Sequence, residues 1–157
     1  HKPLKKLKVV LSDLHLGSGM FLSNGERNLR ENFYFDRELI ELLHFFSSGK
    51  YEEAEVELIL NGDILDFLTI LYKNARLEVI SEKISLYKLK KIIEGHPKVF
   101  QALKRFVSLP NKSITYNIGN HDADFFFPAV RDLFIKTVGG QDNSNRVKFI
   151  YQEQYYE

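Results

Sequence analysis

The chain has 157 residues, of which 44% are hydrophobic, and 22 Lys+Arg stand against 21 Asp+Glu. That length suffices for one domain with a real core, and a formal charge of +1 supplies no general pull toward nucleic acid. With Cys 0, disulfides and cysteine-based zinc sites are excluded, and no stretch reaches the ~18 apolar residues of a membrane span.

Residues 6–13 form a short apolar run ending in Ser12-Asp13, read as a central strand. Residues 17–25 are small and polar, broken by Gly17, Gly19 and Gly25, and read as a loop. Over 27–47 the apolar residues Leu39, Leu42, Leu43 and Phe46 fall on one helical face, with Gly49 as the stop. A second strand is expected at 56–60. A helical pattern follows over 66–94, marked by Leu77, Ile80, Ile84, Tyr87 and Leu89. Gly95-His96-Pro97 breaks it, with Pro97 opening the next helix, whose apolar face is Val99, Leu103, Phe106 and Val107. A third strand is expected at 113–118, a helix at 123–136 interrupted by Pro128, and a fourth strand from 146 to 151. This alternation predicts an α/β domain with parallel pairing.

Three polar clusters sit at the ends of the first three strands: Ser12-Asp13-Leu14-His15-Leu16-Gly17, Asn61-Gly62-Asp63 and Gly119-Asn120-His121-Asp122. The C-terminal ends of strands are where open α/β sheets place their chemistry. The donors are oxygen and nitrogen only, a set suited to Mn, Fe, Zn or Mg. Asp13 and His15 stand two apart, so on extended backbone both point the same way and reach one ion. Asp63 is placed to bridge two ions, and Gly62 lets the backbone come close. Asn120 offers a neutral carbonyl oxygen. His121, its neighbour, projects elsewhere and is free to meet a substrate, with Asp122 to orient or charge it.

Asp13-Leu14-His15, Gly62-Asp63 and Gly119-Asn120-His121-Asp122 resemble, in order and spacing, the first three signature blocks of the calcineurin-like metallophosphoesterases. The resemblance spans about the first 120 residues. The longer strings Asp13-Leu14-His15-Leu16-Gly17 and Gly62-Asp63-Ile64-Leu65-Asp66-Phe67 look more like the branch that includes UDP-2,3-diacylglucosamine pyrophosphatases, where Arg often stands in place of His121. The resemblance implies a β-sandwich flanked by helices in α/β/β/α layers. It implies two divalent metal ions, with Mn favoured among Mn, Fe, Zn and Mg. Asp13 and His15 would bind the first ion, Asp63 would bridge, and Asn120 would bind the second. His121 would serve as acid or transition-state stabiliser, assisted by Asp122, while a metal-bridging hydroxide attacks phosphorus. The implied substrate is a small phosphorylated metabolite or a lipid-linked diphosphate. With no signal-peptide pattern at His1-Lys2-Pro3, the default expectation is a cytoplasmic protein, peripheral to a membrane at most. The family's later Gly-His and Gly-His-x-His blocks are not in this sequence. Residues 1–157 are therefore expected to be the N-terminal part of a single, truncated metallophosphoesterase domain.

Blander readings stand beside these. Asp13, Asp63 and Asn120 are residue types that form turns and caps after strands. His44 on an apolar helix face reads as filler, and His96 as a helix N-cap. Lys88, Lys90, Lys91, Lys98, Lys104 and Arg105 read as a solvated face. Phe125-Phe126-Phe127 reads as core, or as an apolar wall beside the metals. The competing functions are a nuclease or cyclic-nucleotide phosphodiesterase on the same scaffold, and an inactive scaffold that binds protein partners.

Overall fold

A computed structural model describes residues 5–73 and 81–151. Four strands, β1 (Lys6–Leu11), β2 (Glu55–Asn61), β3 (Lys112–Asn117) and β4 (Val147–Ile150), pair in that order, and every neighbouring pair is parallel. Four helices connect them: α1 (Asp36–Phe45), α2 (Glu82–Gly95), α3 (Pro97–Ser108) and α4 (Pro128–Gly139). The expected α/β class with parallel pairing is therefore present.

Alternation along the strands decides which face is covered. Val56, Leu58 and Leu60 of β2 and Ile114 and Tyr116 of β3 are buried. On the opposite face Lys6 and Lys8 of β1 reach Glu55 and Glu57 of β2, and Thr115 donates to Glu57. The buried face carries the helices: α3 packs on β3 between α1 and α4, and α4 packs on β4 and α2. Val99, Phe100, Leu103, Phe106 and Val107 of α3 are all buried, each contributing about 1.5–3 kcal/mol through removal from water. Leu103→Ala would cost about 2–5 kcal/mol by the cavity it leaves. No helix among the described residues is long and apolar enough to cross a membrane.

Several expectations are corrected. The first strand is not central; among the described residues β1 is an edge strand, with Val10 exposed. The helix expected over 27–47 begins only at Asp36. Residues 27–35 give up helical bonding because Asn28 and Glu31 are buried and bind the backbone of Gly17 and Gly19 instead. The helix stops at Phe45 rather than at Gly49, and Ser47 and Ser48 hydroxyls take up the carbonyls of Leu43 and His44. The long helix expected over 66–94 is divided. A short 3-10 turn at Phe67–Thr69 is capped by the Asp66 side chain, and α2 starts at Glu82 behind the Ser81 cap. Leu77 and Ile80 lie outside the described residues. Pro128 likewise splits 123–136 into a 3-10 turn, Ala123–Phe126, and α4. Of the three consecutive phenylalanines, Phe125 is core and Phe126 is exposed.

One buried cation holds the lower end of the sheet. Lys112 is almost fully buried, and its Nζ lies 2.7–3.2 Å from the carbonyls of Tyr51, Glu52, Ala54 and Pro110. Burial pushes its pKa down, partly offset by the charge of Glu52.

Candidate metal centre

Parallel pairing puts the C-terminal ends of β1, β2 and β3 on one edge, and the three polar clusters leave from that edge. Beyond the regular ladder the first two segments stay tied. Asp13 N–H donates to Gly62 O at 3.1 Å, His15 N–H to Asp63 O at 3.0 Å, and Leu16 N–H to Ile64 O at 2.9 Å. The third segment joins through its own backbone: His121 N–H donates to Asp63 Oδ1 at 2.8 Å. Gly119 has to be glycine for this approach, because a Cβ there would stand 2.6 Å from Asp63 Oδ1.

Asp13, His15 and Asp63 bring ligand atoms within 4.8 Å of one another. All three hold a left-handed backbone, with φ of 56°, 55° and 54°. Non-glycine residues pay about 1–2 kcal/mol for that conformation, less for Asp, and keep it only where the surroundings impose it. The Asp13 side chain is 69% exposed and so has oxygens free for a ligand. This is an oxygen–nitrogen donor set open to solvent, and it fits a divalent cation of the Mn, Fe, Zn or Mg class.

Asp66 completes the arrangement. It was not among the expected site residues. Its nearly buried carboxylate faces His15 Nδ1 at 3.1 Å through Oδ2 and His121 Nδ1 at 3.3 Å through Oδ1. The two imidazoles meet edge to face, with ring centroids 4.8 Å apart. Although Asp66, His15 and His121 also bring ligand atoms within 4.8 Å of one another, the hydrogen-bond pattern assigns Asp66 another task. A carboxylate there can only accept, so it favours the Nδ1–H form of each ring and directs His15 Nε2, 3.9 Å from Asp13 Oδ1, away from it. Carboxylates that fix the tautomer of a metal-ligating histidine work in this way. A signal for Asp66 existed in the sequence: it is the one charged residue within the apolar run Ile64-Leu65-Asp66-Phe67-Leu68, and a charge in such a run needs partners when buried.

The remaining expected residues divide. Asn120 is exposed and sits between two residues whose backbones touch Asp63. His121 is partly exposed beside His15. Asp122 does not serve His121. It is fully buried and accepts from Gly119 N–H at 2.6 Å, from Ile64 N–H at 3.0 Å and from the Tyr116 hydroxyl. Burial pushes its carboxyl pKa up against those hydrogen bonds, which pull it down. Burial, then the Asp122 charge, raises the Tyr116 hydroxyl well above its usual range. The turn at Ala123–Phe126 sends Asp122 inward, away from its sequence neighbour His121, where it ties the segments of Ile64 and Gly119 to Tyr116 of β3. The carboxylate that faces the His121 ring is instead that of Asp66.

The bland readings of two histidines also resolve. His44 is exposed on α1. His96 occupies the N-cap position of α3 but caps nothing; it is buried between carboxylates.

Comparison with known proteins returns no matching family model, no matching curated protein and no matching solved structure.

Proposed function

We propose that this chain carries the first ligand blocks of a metal-dependent hydrolase of phosphoester or diphosphate bonds that works with two divalent ions. The observation that carries the reading is the convergence of Asp13, His15 and Asp63, each in left-handed backbone, at one sheet edge beside the Asp66-held His121. Strain of this kind gathers at sites whose geometry matters more than local stability.

Asp13, the His15 Nε2 atom and Asp63 would hold the first ion; Asp63 and Asn120 would hold the second. Bound there, divalent cations supply Lewis acidity at phosphorus and a reactive nucleophile from water at neutral pH. The protein's own share is orientation and proton movement. Asp63 keeps one oxygen on His121 N–H, which ties the loop carrying His121 to the carboxylate that would serve both ions. Asp66 holds His121 with Nδ1–H inward, so Nε2 is the atom turned to the substrate side. From there a protonated Nε2 delivers a proton to the leaving oxygen, with Asp66 stabilising the imidazolium. The substrate proposed is a small phosphorylated metabolite or a lipid-linked diphosphate, and the ion favoured is Mn.

The two-layered sandwich of the metallophosphoesterases belongs to the same proposal. Parallel sheets are ordinarily covered on both faces. Here Val10 and Ile150 stay exposed on the face away from the helices, which is where a second sheet would pack.

The test compares wild type with His121→Ala, both in the full-length protein, on bis-p-nitrophenyl phosphate and on an alkyl phosphodiester, with Mn²⁺ added. The variant keeps its Mn²⁺ and its fold but turns over the alkyl substrate about 10²–10⁴-fold more slowly. The loss is smaller on the aryl substrate, whose leaving group needs less protonation. Equal rates for both proteins on both substrates would remove His121 from this role. No wild-type activity on any phosphoester or diphosphate would favour a protein-binding scaffold.

A further inference from the structure

Away from the candidate centre, Glu31, His96 and Asp36 form a cluster that the reaction does not use. Glu31 and His96 are almost fully buried. Glu31 Oε1 lies 2.7 Å from His96 Nε2, and His96 Nδ1 lies 2.8 Å from Asp36 Oδ1. Both ring nitrogens therefore face carboxylates. An imidazolium satisfies that with two donors, whereas a neutral ring has only one. Burial disfavours the charged ring, but the hydrogen bonds and charges of Glu31 and Asp36 outweigh it and raise its pKa. Burial pushes Glu31 up, while His96 and the N–H groups of Gly19 and Gly17 outweigh it and bring its pKa down. Among the described residues, the charged groups that face His96 are Glu31 from the loop and Asp36 from α1; Glu94 and Lys98, its neighbours on α2 and α3, are exposed.

The rest of Glu31 is spent on the segment that follows His15. Its oxygens accept Gly17 N–H at 3.1 Å and Gly19 N–H at 2.9 Å. Leu16, between His15 and Gly17, is tied on its other side: its N–H bonds Ile64 O and its carbonyl accepts Asp66 N–H at 2.8 Å. There is no slack. A Cβ at Gly17 would stand 2.5 Å from Glu31 Oε2, and one at Gly95 would stand 2.1 Å from the Ser18 carbonyl oxygen. Segment 16–19 is thus clamped between the Ile64–Asp66 backbone and a buried charge cluster. At its head is His15, in a backbone conformation that needs such a clamp.

We infer that Glu31, locked by His96 and Asp36, is a positioning residue that holds His15 and Asp66 in register and so sets the metal affinity of the candidate centre without touching the ion. This rests on the metal-hydrolase reading above. The probe is Mn²⁺ alone, titrated into the whole chain and followed by the electron paramagnetic resonance of free ion. Amide hydrogen exchange at Gly17 and Gly19 is measured on the same samples. Glu31→Gln lowers Mn²⁺ affinity about 10-fold or more, the range seen when an outer partner of a ligand is lost, and exchange at both glycines accelerates. His96→Gln keeps an N–H toward Glu31 and recovers part of that affinity. The affinity ratio of wild type to His96→Gln narrows as pH rises through the titration of His96. Should Glu31→Gln fail to fold, the more exposed Asp36→Asn carries the same test with a smaller loss. A folded Glu31→Gln protein with wild-type Mn²⁺ affinity overturns the positioning role alone. A wild type that holds no Mn²⁺ overturns the hydrolase reading, and the positioning role falls with it.

Discussion

Two groups of carboxylates and imidazoles flank the segment 16–19, and they are built in opposite ways. Glu31, His96 and Asp36 spend their polar atoms on one another or on backbone N–H, with Glu31 and His96 out of reach of water. Asp13, His15 and Asp63 use the same side-chain types, yet they hold strained backbone, and Asp13 keeps its oxygens in solvent. The closed group is what buried charge must look like to be tolerated. The open group holds strained backbone and leaves the Asp13 carboxylate mostly in solvent, which is what a site shaped for something outside the chain looks like. The same contrast separates two aspartates within one pair of loops. Asp63 faces outward with one oxygen on His121 N–H, whereas Asp122 is turned inward with both oxygens occupied.

The sharpest break in this contrast is Asp63→Ala, which should take Mn²⁺ binding below detection while leaving the fold in place. One carboxylate neutralising two cations cannot be removed without leaving them to repel. Mn²⁺ titration beside a thermal melt reads both halves, and two tightly held ions in the variant would contradict the bridging role.

Asp122→Ala should show the reverse, with stability lost first. The change removes the acceptor shared by the buried Tyr116 hydroxyl, the buried Ile64 N–H and the part-buried Gly119 N–H, at a cost of about 3 kcal/mol or more. Urea unfolding measures it. A loss under about 0.5 kcal/mol would mean that Asp122 does not pin the ligand loops.

A pH series sharpens the closed side. Glu31 is held below its ordinary 4.5 and His96 above its ordinary 6.5. The lowered carboxylate contributes fully above 4.5 and loses its contribution as pH falls through its folded pKa. The raised imidazole contributes fully below 6.5 and loses its contribution as pH rises through its folded pKa. The stability difference between wild type and His96→Gln should therefore be widest between 4.5 and 6.5 and shrink on the alkaline side. A difference that grows with pH would show that His96 is buried neutral.

The smallest effect carries an unusual sign. Asp13→Gly removes a left-handed non-glycine residue whose side chain is mostly in solvent. It should raise stability by up to ~1 kcal/mol while weakening Mn²⁺ binding. Destabilisation there would mean that the Asp13 carboxylate is part of the fold's own bonding.

What could be read in the sequence, and what could not, follows the range of the interactions. The strand runs and the three clusters behind them are local patterns, and β2, β3 and β4 lie within a few residues of where period and turn residues put them. Strand order is not local, so the edge position that β1 takes among the described residues was not legible. Nor was the irregular run 27–35, whose conformation is imposed by Asn28 and Glu31 reaching residues more than a turn away. Within the site, Asp13, His15 and Asp63 could be named from the sequence because each ends a strand. Asp66, not Asp122, faces the His121 ring, because side-chain direction after a strand depends on the turn that follows. Each here is followed by a 3-10 turn that no periodicity announces. His96 was legible as a helix boundary but not as a buried ion partner, since Glu31 and Asp36 approach it from distant segments.

The central claim is that the open group, with His15 bonded through Nε2, holds a divalent cation. Crystals of this chain soaked in Mn²⁺, with data collected at the manganese absorption edge, test it most directly. The account predicts an anomalous peak in contact with Asp13, His15 Nε2 and Asp63, with Asp66 still hydrogen-bonded to His15 Nδ1. A peak enclosed instead by His15 Nδ1, Asp66 and His121, or no peak at this sheet edge, would contradict it.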